Sequence, residues 1–132
     1  MGSTDYLLDT HALIWALTEP RKLSAKARRI IQSLDHRLVA SAATAYELAY
    51  KHRLGRLPGL DGLLLGYPRH IAELCDEELS VRSNHALTAG QLEWEHRDPF
   101  DRLIAAQAIV ESLVIITADQ ALHDFGLVET LW

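Results

Sequence analysis

Residues 7–17 read LLDTHALIWAL, in which a short apolar run ends at an acid and an apolar helix follows. Leu7 and Leu8 predict the end of a buried parallel strand, and Asp9 stands directly after it. The same arrangement returns near the C-terminus, where residues 113–117 predict a strand and Asp119 follows. Ligands of open α/β sheets bind in the crevice at such strand ends, so both acids are expected there.

Strands and helices alternate along the whole chain. The predicted strands cover residues 6–9, 38–40, 79–81, 113–117 and 128–131. The predicted helices cover residues 11–17, 24–34, 41–54, 68–76, 84–94, 98–112 and 119–125. Ser24, Ser41 and Asn84 are the predicted N-caps. One apolar face of the second helix is predicted to consist of Ala27, Ile30, Ile31 and Leu34. Residues 60–67 carry no clear pattern. This alternation predicts an α/β fold with a mainly parallel sheet covered by helices, in one domain spanning residues 1–132.

Composition limits the class of protein. Hydrophobic residues make up 48% of the chain, which excludes a disordered protein. No apolar stretch approaches the roughly 20 residues needed to cross a bilayer, so no membrane contact is expected. The N-terminus lacks a basic segment followed by an apolar one, and a cytoplasmic location is therefore expected. The single Cys75 excludes an intrachain disulfide and is expected to be a small packing residue.

The net charge of −5 argues against a protein that grips nucleic acid by overall positive charge. A metal nuclease nevertheless needs excess carboxylates at its centre, because the bound cation neutralises part of their charge. Local basic clusters are then a better indication of nucleic-acid contact than the net charge. One cluster consists of Arg21, Lys22, Lys26, Arg28 and Arg29, and the other of Lys51, His52, Arg53 and Arg56. Each cluster could either contact phosphates or form part of a solvated helix surface, and the sequence does not decide between the two.

Five acids stand out, most of them at predicted strand ends or helix starts and one, Glu47, in the middle of a predicted helix; the others are Asp9, Asp98, Asp101 and Asp119. Each has a purely structural explanation: the aspartates suit helix caps or first turns, and Glu47 can pair with Lys51 one turn on. Taken together, acids gathered at one crevice repel one another unless protons or a divalent cation offset the charge. A magnesium or manganese site is therefore the favoured interpretation. His11, His52 and His96 are expected to be surface or packing residues, and no spacing indicates zinc.

Four segments resemble the PIN domain, specifically the VapC-type toxins of bacterial type II toxin–antitoxin pairs. They are LLDTHALIWAL (7–17), AATAYELAYKHRLGRL (42–57), HRDPFDRLIAAQA (96–108) and IITADQAL (115–122). The segments follow the family's order and run nearly from end to end. The resemblance implies a three-layer α/β/α sandwich and an Mg²⁺- or Mn²⁺-dependent endoribonuclease that hydrolyses RNA phosphodiester bonds.

The resemblance also assigns roles to residues. By position, the four acids of the family correspond to Asp9, Glu47, Asp101 and Asp119, which are the expected catalytic residues. The expected metal set is Asp9, Asp101 and Asp119, with Asp9 and Asp101 as direct ligands and Asp119 and Glu47 acting through metal-bound water. Supporting roles fall to Asp98, an additional acid of the motif, and to Thr10 and Thr117. Ala118 departs from the pattern, since a basic residue often stands there.

Two other functions compete with this interpretation. A phosphatase of the haloacid-dehalogenase type also places an aspartate after its first strand, but it needs a second acid where this chain has His11. The stronger rival is a catalytically inactive PIN-like module that binds nucleic acid or protein. Loss of an acid would indicate such a module, and none of the four is missing.

The resemblance further implies partners. A VapB-type antitoxin is expected to present a basic side chain to the acidic pocket, and promoter DNA is expected to be contacted only through that antitoxin. RNA is the expected substrate. A homodimer is also expected, and the apolar residues 12–17 and 30–34 are candidates either for its surface or for core packing.

Overall fold

The computed structural model describes residues 4–132 and contains a five-stranded sheet in the order β3-β2-β1-β4-β5. The strands are β1 (Asp5–Leu8), β2 (Arg37–Ser41), β3 (Glu77–Leu79), β4 (Val114–Ile116) and β5 (Thr130–Leu131). All four adjacent pairs are parallel, which confirms the predicted parallel sheet. The helices are α1 (Thr10–Thr18), α2 (Ala25–Gln32), α3 (Ala42–Arg53), α4 (Asp61–Leu65), α5 (Tyr67–Leu74), α6 (Ser83–Gln91), α7 (Pro99–Glu111) and α8 (Gln120–Asp124), with a 3₁₀ turn at Pro20–Lys22.

Helices cover both faces of the sheet. Successive strand residues point to opposite faces, and in β1 Leu8 belongs to one hydrophobic cluster while Leu7 belongs to the other. The first cluster includes Leu13 of α1 and Ile71 of α5, and the second includes Ile104 of α7. The architecture is therefore the expected three-layer α/β/α sandwich.

The connectivity of the sheet determines where a ligand site lies. The chain runs from the central β1 to β2 and β3 on one side, and then crosses to β4 and β5 on the other. The order thus reverses between β1 and β4, which is where open α/β sheets bind ligands. Asp9 follows β1, and its backbone N–H donates to Ile116 at the end of β4 at 3.1 Å. The two predicted strand-end acids consequently lie on either side of this switch point.

Several predicted helix starts are confirmed. Ser24 accepts a hydrogen bond from the backbone N–H of Ala27 at 3.0 Å, and Ser41 accepts one from Ala43 at 3.0 Å. The cap predicted at Asn84 is wrong. Helix α6 begins one residue earlier, and Nδ1 of the buried His85 accepts from the backbone N–H of Arg82 at 3.0 Å.

Two apolar patterns were misleading. The strand predicted at residues 79–81 lies two residues earlier, because Glu77 to Leu79 pair with Val39 to Ser41 as an edge strand whose acids hide the strand pattern. Leu34 lies beyond the end of α2 and is fully exposed, so it does not share the face predicted for it. Residues 60–67, which carried no clear pattern, contain α4 and the buried Tyr67.

Burial also bears on the candidate dimer surfaces. Ala12 and Leu13 are fully buried in the core, so core packing explains the start of the apolar residues 12–17. Cys75 is buried in the same cluster, as expected for a packing residue. Among residues 4–132, no helix has the length and apolar character required to cross a membrane.

Candidate active site

Asp9 is a buried acid whose two oxygens have different partners. Its Oδ1 accepts from the backbone N–H of Ala12 at 2.8 Å, which is the predicted cap of α1. Its Oδ2 accepts from the hydroxyl of the fully buried Thr117. Burial raises the pKa of Asp9, the two hydrogen bonds lower it in part, and the nearby Asp119 raises it. The ionised carboxylate is therefore costly here, and a cation would relieve that cost.

Thr117 connects Asp9 to Asp119. While its hydroxyl donates to Asp9, the same oxygen accepts from the backbone N–H of Asp119 at 2.9 Å. Asp119 is exposed and caps α8, with Oδ1 accepting from the backbone N–H of Ala121 at 2.9 Å. The end of β4 thereby fixes both acids through one side chain.

Glu47 is buried in the middle of α3, with an exposed fraction of 4%. One carboxylate oxygen accepts from the hydroxyl of Thr10, and the other forms an ion pair with Lys51. The predicted Glu47–Lys51 pair is thus confirmed. Since Thr10 directly follows Asp9, the first turn of α1 joins the second acid to the first.

Asp101 lies in the first turn of α7 and contacts His96, whose Nε2 is 2.6 Å from Oδ2 of the carboxyl group. Burial raises the pKa of Asp101 to about 6, with the His96 hydrogen bond opposing and the charges of Asp98 and Asp119 adding to the increase. Asp119 raises the pKa of both Asp9 and Asp101. Asp119 therefore lies close enough to each of these two carboxyl groups to repel it.

Asp98 is the N-cap of α7. Its Oδ1 accepts from the backbone N–H groups of Phe100 at 2.8 Å and of Asp101 at 3.3 Å. Asp98 also belongs with His96 and Asp101 to a group whose possible ligand atoms all lie within 4.8 Å of one another. In the part of the chain from residue 4 onward this is the group that meets that distance, and Asp9 lies outside it. Direct coordination by Asp9 and Asp101 together stays a prediction.

The donor set suits a hard divalent cation. The acids at the crevice offer carboxylate oxygens, and burial, with a smaller contribution from the charge of Asp119, raises the pKa of both Asp9 and Asp101. Mg²⁺ binds through one or two carboxylates and keeps several waters, so it does not require every acid within direct reach. The residues present therefore fit Mg²⁺ or Mn²⁺.

Two residues of the site escaped the sequence interpretation. His96 was expected to be a surface or packing residue, but it contacts Asp101. Arg102 was not singled out, although it organises the loop that carries His96. Neither contact follows from a helix or strand period, since both join a loop to a helix. The position of His96 inside the motif HRDPFDR was the one available signal.

The two basic clusters differ in their relation to the site. In the first, Arg21 and Lys22 pair with Glu19 at 3.7 and 3.2 Å. The second occupies the end of α3, the helix that carries Glu47. There Arg53 lies over the ring of Tyr50, 5.7 Å from its centroid. The second cluster therefore contacts the candidate site through one member, Lys51, which pairs with Glu47.

Comparisons with known proteins agree with this fold. The model of the PIN domain matches residues 6–127. Ribonuclease VapC22 of Mycobacterium tuberculosis (strain ATCC 25618 / H37Rv) is 33% identical over 132 residues, which cover 98% of this chain and 99% of that protein. The crystal structure of VapBC2 from Rickettsia felis, bound to a DNA fragment from its promoter, gives a TM-score of 0.72 at 15% identity and covers 97% of this chain and 98% of that one. VapBC-5 of Mycobacterium tuberculosis, a member of the VapBC family of toxin–antitoxin systems, gives 0.64 at 20% identity with coverage of 97% and 98%.

Proposed function

The chain belongs to the PIN-domain family, and from that premise we propose that it is a metal-dependent endoribonuclease, the toxin of a type II toxin–antitoxin pair. One observation supports the proposal most directly: the charge of Asp119 raises the pKa of both Asp9, which follows the central strand β1, and Asp101. Such mutual repulsion destabilises the metal-free site and favours a bound cation. The similarity to a ribonuclease over nearly the whole chain supports the reaction class.

The roles of the acids follow from their surroundings. Asp9, Asp101 and Asp119 would hold Mg²⁺ or Mn²⁺, with Asp9 and Asp101 as direct ligands. When bound, the cation would offset charge on the phosphate and lower the pKa of the attacking water. The exposed Asp119 faces solvent and would orient that water, as would Glu47, which Thr10 and Lys51 hold in one orientation.

RNA would approach along α3. Arg53 and Arg56 are exposed near the end of this helix, whereas Lys51 is engaged with Glu47 and His52 with Asp61. Exposed guanidinium groups suit phosphate oxygens. The net charge of −5 makes these local contacts necessary, because the molecule as a whole repels RNA.

The partners belong to the same proposal. A VapB-type antitoxin would cover the acidic site with a basic side chain, and the toxin–antitoxin relatives support this assignment. Promoter DNA would be contacted through the antitoxin, in keeping with the toxin's own negative charge. Homodimerisation and a cytoplasmic location are part of the proposal as well.

Cleavage of total RNA tests the proposal. Antitoxin-free protein is incubated with RNA in Mg²⁺, Mn²⁺ or EDTA, and the 5′ ends of the products are sequenced. Discrete products that disappear in EDTA are expected, and their ends would identify the target. Binding of RNA without cleavage in either metal, by protein shown to be folded, would favour the inactive binding module instead.

A further inference from the structure

We propose that His96 is a positioning residue that fixes the orientation of the Asp101 carboxylate for cation binding. The inference rests on the proposed function, since it concerns the same site. Its starting point is the 2.6 Å contact between Nε2 of His96 and Oδ2 of Asp101. A hydrogen bond to one oxygen stops rotation of the carboxylate and leaves Oδ1 for the cation.

The loop that carries His96 is built around Arg102. The guanidinium group of Arg102 donates to the carbonyl oxygens of Ala89, Leu92, Trp94 and His96 at distances between 2.7 and 3.1 Å. Within residues 4–132 no carboxylate pairs with this cation, so its donors serve the backbone of the loop and of the last turn of α6. Arg102 directly follows Asp101 on α7, and the clamp therefore ties the loop to the helix turn that His96 contacts.

Aromatic contacts also hold the same loop. The ring of Trp94 stacks on Phe125 with centroids 4.3 Å apart and planes 9° apart. Trp94 also packs on the ring of His96 at 4.9 Å. Phe125 is buried at the end of α8, the helix that Asp119 caps. The position of His96 is thus fixed twice, by the ring of Trp94 against its imidazole and by the hydrogen bond from Arg102 to its carbonyl oxygen.

The contacts of Arg102 and Trp94 fix this loop more firmly than its role as a short connection between α6 and α7 requires. A histidine whose contact with a carboxylate had no role would require neither the four hydrogen bonds of Arg102 nor an aromatic ring packed against its imidazole. Hydrogen-bond partners of metal ligands are typically worth about 10- to 100-fold in metal affinity. Removal of the imidazole is therefore expected to weaken cation binding within that range while leaving the fold intact, because the side chain of His96 is 31% exposed.

Mn²⁺ binding to the free toxin tests the inference. The dissociation constant is measured by electron paramagnetic resonance of unbound Mn²⁺ for the wild type, His96→Ala, His96→Gln and the control His70→Ala, which removes an imidazole away from the acids. His96→Ala is expected to bind Mn²⁺ about 10- to 100-fold more weakly than the wild type. His96→Gln should recover much of the affinity, because its amide can also donate a hydrogen bond. His70→Ala should bind Mn²⁺ as the wild type does. Arg102→Lys, which keeps the charge but not the forked donors, should weaken binding in the same direction.

A second readout separates positioning from direct coordination. Electron spin-echo envelope modulation of bound Mn²⁺ detects a directly coordinated imidazole nitrogen, and none is expected from His96. A nitrogen coupling that disappears in His96→Ala would overturn the inference, because His96 would then be a ligand. Wild-type affinity in folded His96→Ala would overturn it too. If the wild type binds no Mn²⁺, the proposed function fails along with the inference.

Discussion

Asp9 combines a structural task with a proposed chemical one, and substitutions can separate the two. Asparagine keeps an oxygen that can accept from Ala12, whereas alanine removes the cap of α1. In EDTA, Asp9→Ala is expected to lose about 1 kcal/mol of stability, the usual cost of a lost N-cap. Asp9→Asn is expected to be at least as stable as the wild type, because it also removes a buried charge.

Urea unfolding and Mn²⁺ titration of the two Asp9 variants measure this difference. Neither variant should bind Mn²⁺ with wild-type affinity. Equal destabilisation of both in EDTA, together with normal Mn²⁺ binding, would reduce Asp9 to a helix cap.

Asp101 makes the stability of the metal-free protein depend on pH. Its folded-state pKa, about 6, lies above the value expected in the unfolded chain. The folded state therefore binds this proton more tightly, so the contribution to stability is greatest at low pH and is lost as pH rises from about 4 through 6. Asp101→Asn should lack this loss. Urea unfolding in EDTA across this pH range gives the difference between the two proteins, and a difference that stays constant with pH would contradict the assignment.

Some positions of individual site residues could be predicted from the sequence and others could not. Asp9 and Asp119 could be placed at strand ends because each follows a short apolar run. The Glu47–Lys51 pair could be placed because a helix brings residues four apart onto one face. His96 could not be placed, since its contact depends on the path of a loop that Arg102 shapes through backbone carbonyls. Contacts between a side chain and backbone oxygens produce no helix or strand periodicity in a sequence, so they cannot be predicted from its pattern.

At the scale of elements, α1 and α3 are joined by one buried hydrogen bond between Thr10 and Glu47. Thr10→Val keeps the shape but removes the hydroxyl, so an oxygen of Glu47 loses its partner. A cost of about 1–3 kcal/mol is expected for a buried acceptor left without a donor. RNA cleavage should fall as well, because Glu47 becomes free to reorient.

Thr44→Val provides the matched control on α3. Thr44 is also buried, and its hydroxyl has no partner among the described residues. Its replacement is expected to be neutral or stabilising. Thermal and urea unfolding of both variants decide the matter, and equal effects would show that the Thr10 hydroxyl contributes nothing specific.

Element boundaries were predictable where a cap or an apolar run marks them. Ser24, Ser41 and Asp98 begin α2, α3 and α7 as their residue types predict. β3 was displaced because an edge strand rich in acids lacks the expected apolar character. The start of α6 was missed because its N-cap is Arg82, whose backbone N–H donates to the buried His85 and whose residue type does not mark a helix start.

At the scale of the molecule, the alternation of strands and helices was sufficient to predict a parallel sheet covered on both faces. The strand order was not, because it depends on pairing between distant segments such as β1 with β4. That order creates the switch point, and neither the alternation nor the resemblance to a known family predicted it.

Cation binding should stabilise the whole fold. A ligand that binds only the folded state adds about 2.7 kcal/mol at a free concentration of about 100 times its Kd. Saturating Mn²⁺ is therefore expected to raise the melting temperature, and EDTA should reverse the effect. Asp101→Asn should respond little. An unchanged melting temperature in the wild type at saturating Mn²⁺ would contradict a resident cation site.

The central claim is that these carboxylates bind the cation used for RNA cleavage. The most direct measurement is the cleavage rate of one mapped RNA target as a function of free Mn²⁺, for the wild type and Asp9→Asn side by side. The account predicts that wild-type activity rises with the same midpoint as Mn²⁺ binding and that Asp9→Asn is inactive throughout. Cleavage that persists in EDTA, or that proceeds at the wild-type rate in Asp9→Asn, would contradict it.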